Sequence, residues 1–97
     1  MIMTQTEETA APRQPSEADI LDEIRRQVVA ELGVRPDEVN ADSVLKQLPG
    51  ADSVRLLRVV ARIERRYDVE FDDEDVFTVR TPADLAALIL RVASGEA

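Results

Sequence analysis

Cysteine and histidine are both absent from this chain of 97 residues. The protein therefore has no thiol nucleophile, no disulfide and no imidazole base, and it lacks the usual Cys and His ligands of zinc. Chemistry that depends on a thiol would need one supplied from outside the chain. A chain of this length forms one small domain that buries only just enough surface to be stable, so we expect no large internal active site.

Positive charge is also scarce, because 12 Lys and Arg residues stand against 20 Asp and Glu residues, for a net charge of −8. A protein that wraps nucleic acid needs clustered cations over much of its surface, so nucleic acid is not an expected partner.

No segment approaches the roughly 18 apolar residues of a membrane-spanning helix, and the N-terminus lacks the basic and apolar regions of a secretory signal. We therefore expect a monomeric, cytoplasmic protein that is not attached to a membrane.

The chain divides into one folded segment with a tail at each end. Residues 1–15 hold Thr, Glu, Gln, Ala and two prolines without apolar periodicity, which predicts a disordered N-terminal tail. We expect the folded domain to span residues 16–93. Residues 94–97 then form a short C-terminal tail.

Helical periodicity dominates the folded segment. Ser16 provides a start signal, Gly33 a stop signal, and Thr81-Pro82 a second start signal further along the chain. Four helices are predicted, over about residues 16–33, 53–67, 73–77 and 81–92. The intervening residues 33–52 form a long loop whose scattered aliphatic residues pin it to the core. Since no strand is convincing, we predict an all-α fold, a small bundle of three main helices plus one short helix.

The second predicted helix has three distinct faces when its residues are placed about 100° apart around the axis. The core face consists of Leu56, Val59, Val60, Ile63 and Tyr67. A charged face consists of Arg55, Arg58, Arg62, Arg65 and Arg66. A narrow apolar strip consists of Val54, Leu57 and Ala61. Since an apolar strip beside a charged band suits a partner protein, the predicted docking residues are Val54, Arg55, Leu57, Arg58, Ala61 and Arg62.

Ser53 lies at the start of this helix, within the sequence Gly50-Ala51-Asp52-Ser53-Val54. Free backbone N–H groups and the positive end of the helix dipole favour a phosphate group at such a place. The position therefore suits attachment of a phosphorylated group. The alternative interpretation of the same serine is an ordinary helix cap.

A second Asp-Ser-Val tripeptide, at residues 42–44, is a competing candidate. Ser43 is followed within six residues by Pro49, which leaves no room for a long helix, whereas Ser53 opens at least three turns of amphipathic pattern. We therefore prefer Ser53 to Ser43 as the functional serine.

Over about residues 17–92 the chain resembles the acyl carrier proteins, which have a helix, a long loop ending in Gly-x-Asp-Ser, a helix, a short acidic helix and a Thr-Pro-capped helix. The resemblance implies that Ser53 carries 4'-phosphopantetheine, received from coenzyme A through a phosphopantetheinyl transferase. It also implies that Gly50, Asp52 and Val54 complete the motif, that Asp52 helps to hold the metal ion of the transferase, and that Val54 and Leu57 touch partners.

A carrier of this kind is a shuttle and not an enzyme. The resemblance implies that acyl groups are held as thioesters on the arm and presented to acyl-loading, acyl-transferring or condensing enzymes. Tethering of this kind raises the effective concentration of the acyl group at the docked enzyme. The acyl chain can rest between helices when no enzyme is docked, in a cavity expected to be small and aliphatic.

Two features depart from the carriers of fatty-acid synthesis. The second helix holds five arginines and a single acid, Glu64, where those carriers are acidic, and Val54 replaces the usual Leu. Like charges would disfavour docking on the basic enzymes of fatty-acid synthesis. The interpretation is therefore a discrete carrier of a specialised pathway, such as polyketide or mixed polyketide and peptide biosynthesis.

Three other functions stay open at this point. A peptidyl carrier protein has a similar motif, although Asp before the serine is more typical of acyl carriers. An unmodified helical adaptor would bind an acidic protein through the arginines of the second helix. A metal-binding loop would use the six acids between residues 68 and 75, but their spacing lacks the central Gly and terminal Glu of an EF-hand loop.

Overall fold

Four α-helices make up the bundle seen in a computed structural model that describes residues 15–95. The helices are α1 (Glu17–Leu32), α2 (Ser53–Tyr67), α3 (Asp73–Thr78) and α4 (Pro82–Ala93). Two 3-10 turns, Pro36–Glu38 and Leu45–Gln47, lie in the loop between α1 and α2. The predicted all-α bundle of three main helices and one short helix is confirmed. The tails predicted at the two ends fall mostly outside the described residues, at 1–14 and 96–97.

The helix boundaries follow from side chains that satisfy the backbone groups left free at helix ends. Ser16 Oγ accepts a hydrogen bond from Asp19 N at 3.1 Å, which starts α1, and Gly33 ends that helix in the left-handed conformation. At the start of α4, Thr81 Oγ1 accepts from Asp84 N at 3.1 Å while Asp84 Oδ2 accepts from Thr81 N at 3.2 Å. This reciprocal pair is a capping box.

Within residues 15–95, no helix combines the length and the apolar character needed to cross a membrane.

The core lies where α1, α2 and α4 pack together, and the loop between α1 and α2 closes it. The helical core residues are Ile20, Ile24, Val28, Val59, Ile63, Leu85, Ala86 and Ile89. The aliphatic residues predicted to pin the loop are Val34, Val39, Val44, Leu45 and Leu48. Val34, Val39 and Leu45 are buried and Leu48 packs against the core, so the prediction is confirmed for these four. It is wrong for Val44, which is 39% exposed. Burial of each large aliphatic side chain contributes about 1.5–3 kcal/mol.

Two buried carboxylates of α1 meet arginines of α2 beside this core. Glu31, whose side chain is 8% exposed, accepts a hydrogen bond from Arg58 Nη1 at 3.2 Å and forms an ion pair with Arg62 Nη1 at 2.9 Å. About two helical turns earlier in α1, the carboxylate of Glu23 lies 3.9 Å from Arg66 Nε. These pairs link α1 to α2, and each buried carboxylate has a cationic partner, which for Glu23 also includes Arg26 of its own helix.

Glu23 is expected to make the stability of the fold depend on pH in the acid range. Hydrogen bonds from Gln27 and Arg26 lower the pKa of the Glu23 carboxyl below its usual value, although burial acts in the opposite direction. Such a carboxyl stabilises the folded chain above its unfolded pKa of about 4.3, and this contribution is lost as the pH falls through the lower, folded value. Glu23→Gln should lower the free energy of unfolding by about 1–2 kcal/mol at pH 7.

Urea unfolding followed by circular dichroism, at neutral pH and below about pH 4, checks this expectation. The difference between the wild type and Glu23→Gln should shrink at the lower pH. Glu70→Gln serves as the control, because Glu70 is exposed and forms no ion pair within residues 15–95. An equal difference at both pH values would contradict the role given to Glu23.

Candidate functional site

Helix α2 is capped by Asp52 and not by Ser53. Asp52 has an extended backbone immediately before the first turn, and its Oδ1 accepts a hydrogen bond from Arg55 N at 2.8 Å. A carboxylate at this place also interacts favourably with the positive end of the helix dipole. Ser53 is the first residue inside the helix, so the interpretation of Ser53 as an ordinary cap is wrong.

The hydroxyl of Ser53 is consequently free. The residue is exposed to solvent, and Ser53 Oγ has no hydrogen-bond partner among residues 15–95. The preceding turn is made possible by Gly50, whose φ of 80° lies in the left-handed region that favours glycine. The turn therefore presents the free hydroxyl of Ser53 at the surface, directly beside the capping carboxylate of Asp52.

Ser43, the competing candidate, is in a different state. Its residue is half-buried, and Ser43 Oγ accepts from Asn40 N at 2.8 Å and donates to the carbonyl of Glu38 at 3.3 Å. The hydroxyl thus holds the loop between α1 and α2 together. This engagement supports the preference for Ser53.

A cavity of about 150 Å³ opens beside Ser53, between α2, α3 and the residues that lead into α4. Its aliphatic walls are Leu45, Leu56, Leu57, Val59, Val60, Val76, Val79 and Leu85. Two larger surface clefts, of about 430 and 530 Å³, are lined mainly by charged residues and do not include Ser53. The cavity beside Ser53 is therefore the one with the chemistry of an apolar ligand site.

The predicted apolar strip lies on the surface. Val54 and Leu57 are 59% and 57% exposed, and Ala61 is half-buried. Phe77 on α3 is 86% exposed and borders the same cavity as Leu57, so it extends this apolar surface from α2 to α3. Sequence reasoning missed Phe77 as a surface residue. The sequence did contain a signal for this exposure. Phe77 lies in a predicted helix that is short and rich in acidic residues, and such a helix leaves part of its surface exposed to solvent.

The predicted docking arginines are less free than the helical pattern indicated. Arg58 and Arg62 share the carboxylate of Glu31, although 60% and 39% of their side chains stay exposed. Arg55 Nη1 reaches back to the carbonyl of Gly50 at 3.5 Å. The three arginines therefore lie near the apolar strip. The charges of Arg58 and Arg62 are partly neutralised by Glu31 of α1.

The acidic segment after α2 has local structural roles. Asp68 ends α2 in the left-handed conformation, with a φ of 55°, and Glu64 Oε2 accepts from Phe71 N at 2.9 Å. Within the described range 15–95, no three acidic side chains converge in an arrangement that could hold a metal ion. The metal-binding alternative therefore has no support from this part of the chain.

Comparison with known proteins shows which family the sequence matches. Residues 22–89 match the family model described as phosphopantetheine attachment site. The acyl carrier protein of Sulfurovum sp. is 33% identical over 73 residues, which cover 75% of this chain and 97% of that protein. The acyl carrier protein of Akkermansia muciniphila is 34% identical over 77 residues, covering 79% and 96%. That of Bdellovibrio bacteriovorus is 36% identical over 62 residues, covering 64% and 80%.

The matched segment contains the loop, the cavity and the exposed serine described above, and it runs from α1 into α4. Proteins of this kind bear phosphopantetheine and are carriers without catalytic activity of their own. The family model covers more than half of the chain, and the relatives are matched over most of their length. The chain therefore belongs to the phosphopantetheine-bearing acyl carrier protein family.

Proposed function

We propose that Ser53 is the attachment residue for 4'-phosphopantetheine, and that this acyl carrier presents thioester-bound acyl groups to partner enzymes from that arm. The observation that carries the proposal is the free, exposed hydroxyl of Ser53 beside the capping Asp52. Ser43 offers no comparable group, because its hydroxyl is engaged on both sides within the loop.

Attachment needs a bond from Ser53 Oγ to the phosphorus that bears the pantetheine portion of coenzyme A. The adenosine bisphosphate portion leaves with the electrons of the broken P–O bond, and a base takes the serine proton. The chain contains no histidine or cysteine, so we assign the base and the metal ion to the phosphopantetheinyl transferase. Asp52 Oδ1 caps α2, while its second oxygen has no hydrogen-bond partner within residues 15–95, so we assign that oxygen as a ligand for the metal ion of the transferase.

The arm supplies the thiol that the chain lacks. An acyl group bound to it as a thioester stays within reach of any enzyme docked on α2, at a high effective concentration. The cavity beside Ser53 offers a resting place between encounters. An apolar cavity of about 150 Å³ can hold a molecule the size of benzene, so we propose a short acyl chain, of about six carbons or fewer, as its occupant.

The surface of α2 supports a partner with an apolar centre and acidic surroundings. Val54, Leu57 and Ala61 form the apolar contact, and Arg55, Arg58 and Arg62 carry the surrounding charge. Such charges favour acyl-loading, acyl-transferring or condensing enzymes of a specialised pathway, such as polyketide or mixed polyketide and peptide biosynthesis, over enzymes with a basic docking surface. The cytoplasmic location and the monomeric state stay predictions. No observation favours a peptidyl carrier or an unmodified adaptor.

Incubation with coenzyme A and a broad-specificity phosphopantetheinyl transferase should add one phosphopantetheine mass to the intact protein. Ser53→Ala should abolish the addition, because no second free hydroxyl lies at the start of α2. Ser43→Ala should retain it, and intact-mass spectrometry measures both results. Addition to the Ser53→Ala protein would remove the basis of the assignment.

Charge reversal at Arg55 should slow acyl transfer from the loaded carrier by weakening encounter with the partner enzyme. We expect Arg55→Glu to lower the rate about three- to tenfold at low salt and less at high salt, since salt screens exposed charges. Leu57→Asp should lower the rate at every salt concentration, because a buried carboxylate is penalised in an apolar contact whatever the screening. Steady-state kinetics with the cognate enzyme at subsaturating carrier measures both effects.

Arg65→Glu is the matched control, because it makes the same charge change on α2 outside the predicted docking residues. Its rate should stay close to that of the wild type. Arg55 is preferred to Arg58 for this test, since a carboxylate at position 58 would face the buried Glu31 and disturb the fold. Equal rates for Arg55→Glu and the wild type at low salt would show that this face does not steer docking.

A further inference from the structure

Two cations border the cavity into which Ser53 opens. Lys46, the single lysine of the chain, lies in the second 3-10 turn, and Arg80 directly precedes the capping residue of α4. Both residues line this cavity together with Ser53, and the remaining lining residues are largely aliphatic. Two cationic residues therefore border the same cavity as the hydroxyl that we propose as the attachment point.

These cations have no carboxylate partner in the part of the chain that the structure describes. Six arginines of residues 15–95 do form ion pairs with carboxylates: Arg25, Arg26, Arg35, Arg58, Arg62 and Arg66. In a chain with 20 acids and 12 cations, a carboxylate partner is easily supplied. Arg55, Arg65 and Arg91 also lack a carboxylate partner within residues 15–95, but none of them lines this cavity. Two such cations at the border of a single cavity point to an anion that comes from outside the polypeptide.

Backbone hydrogen bonds join the two segments that carry these cations. Leu45, the neighbour of Lys46, donates its N–H to the carbonyl of Arg80 at 2.9 Å, and Leu45 itself is anchored in the core. On the other side, Arg80 N donates to Asp84 Oδ2 at 3.0 Å, the same carboxylate that caps α4. The second 3-10 turn and the start of α4 are thus joined at this point, so the pair belongs to the ordered frame of the cavity.

We propose that Lys46 and Arg80 bind the phosphodiester of the arm and orient its first bonds over the cavity. This inference rests on the proposed attachment at Ser53, because the phosphorus then lies one bond from Ser53 Oγ. A phosphodiester brings a negative charge next to Asp52, in a protein that is already strongly acidic. Lys46 offers a compact charge and Arg80 a planar fork of donors, both of which suit phosphate oxygens.

The two residues act as positioning residues and take no part in chemistry. By holding the phosphodiester at the edge of the cavity, they favour an arm that lies along the protein between encounters with enzymes. The contact is an exposed electrostatic one, so its strength falls as salt screens the charges.

Phosphorus-31 NMR of the phosphopantetheine-loaded protein tests the proposal. In the wild type, the phosphodiester resonance should be broadened and shifted at low salt. Both effects should diminish between about 10 mM and about 1 M NaCl, as the Debye length falls from about 30 Å to about 3 Å. The double variant Lys46→Gln/Arg80→Gln should show a sharp resonance that salt does not change. The double variant Arg65→Gln/Arg91→Gln, which also loses two exposed cations, should behave like the wild type.

A sharp, salt-independent phosphodiester resonance in the fully loaded wild type would overturn the proposal. That outcome differs from failure of the proposed attachment, in which the intact mass shows no addition dependent on Ser53. If the Lys46→Gln/Arg80→Gln protein is not loaded, the single lysine allows a second measurement, since reductive methylation with carbon-13 formaldehyde labels Lys46 and the α-amine alone. The Lys46 methyl resonance should shift on loading of the wild type, and an unchanged resonance would also overturn the proposal.

Discussion

The backbone N–H groups in the first turn of α2 need a hydrogen-bond acceptor. The state of Ser53 depends on which side chain provides that acceptor. Asp52 does so through the hydrogen bond from Arg55 N to Asp52 Oδ1. A cap of this type is worth about 1 kcal/mol. The cap matters for the proposed function as well as for stability. Because Asp52 caps the helix, the hydroxyl of Ser53 is not needed as a cap and is free for the proposed modification. Two adjacent polar residues thus have separate roles.

The position of α2 in the bundle in turn decides what surrounds that hydroxyl. Val59 and Ile63 bury one side of the helix, and Glu31 of α1 holds Arg58 and Arg62 along another. The side that is left, with Val54 and Leu57, faces solvent. The cavity arises between this helix, α3 and the start of α4, so its entrance lies next to Ser53. The same packing that stabilises the bundle therefore places Ser53, the cavity and the exposed apolar strip together.

Local sequence signals were sufficient for the helices, because caps and stops act over one turn. Ser16, Gly33 and the Thr81-Pro82 pair mark boundaries that the structure reproduces. They were not sufficient for the state of Ser53, since both Asp52 and Ser53 are good capping residues and the backbone conformation decides between them. The engagement of Arg58 was also out of reach, because its partner Glu31 lies 27 positions away in the chain.

The central claim is that Ser53, freed by the Asp52 cap, carries the phosphopantetheine of this acyl carrier. Peptide mapping of the unmutated, loaded protein tests it most directly, because trypsin cleavage after Lys46 and Arg55 releases residues 47–55, a peptide whose single hydroxyl residue is Ser53. Ser43 falls in the preceding peptide, which ends at Lys46. We expect the phosphopantetheine mass on residues 47–55. The same mass on the peptide that contains Ser43 would contradict it.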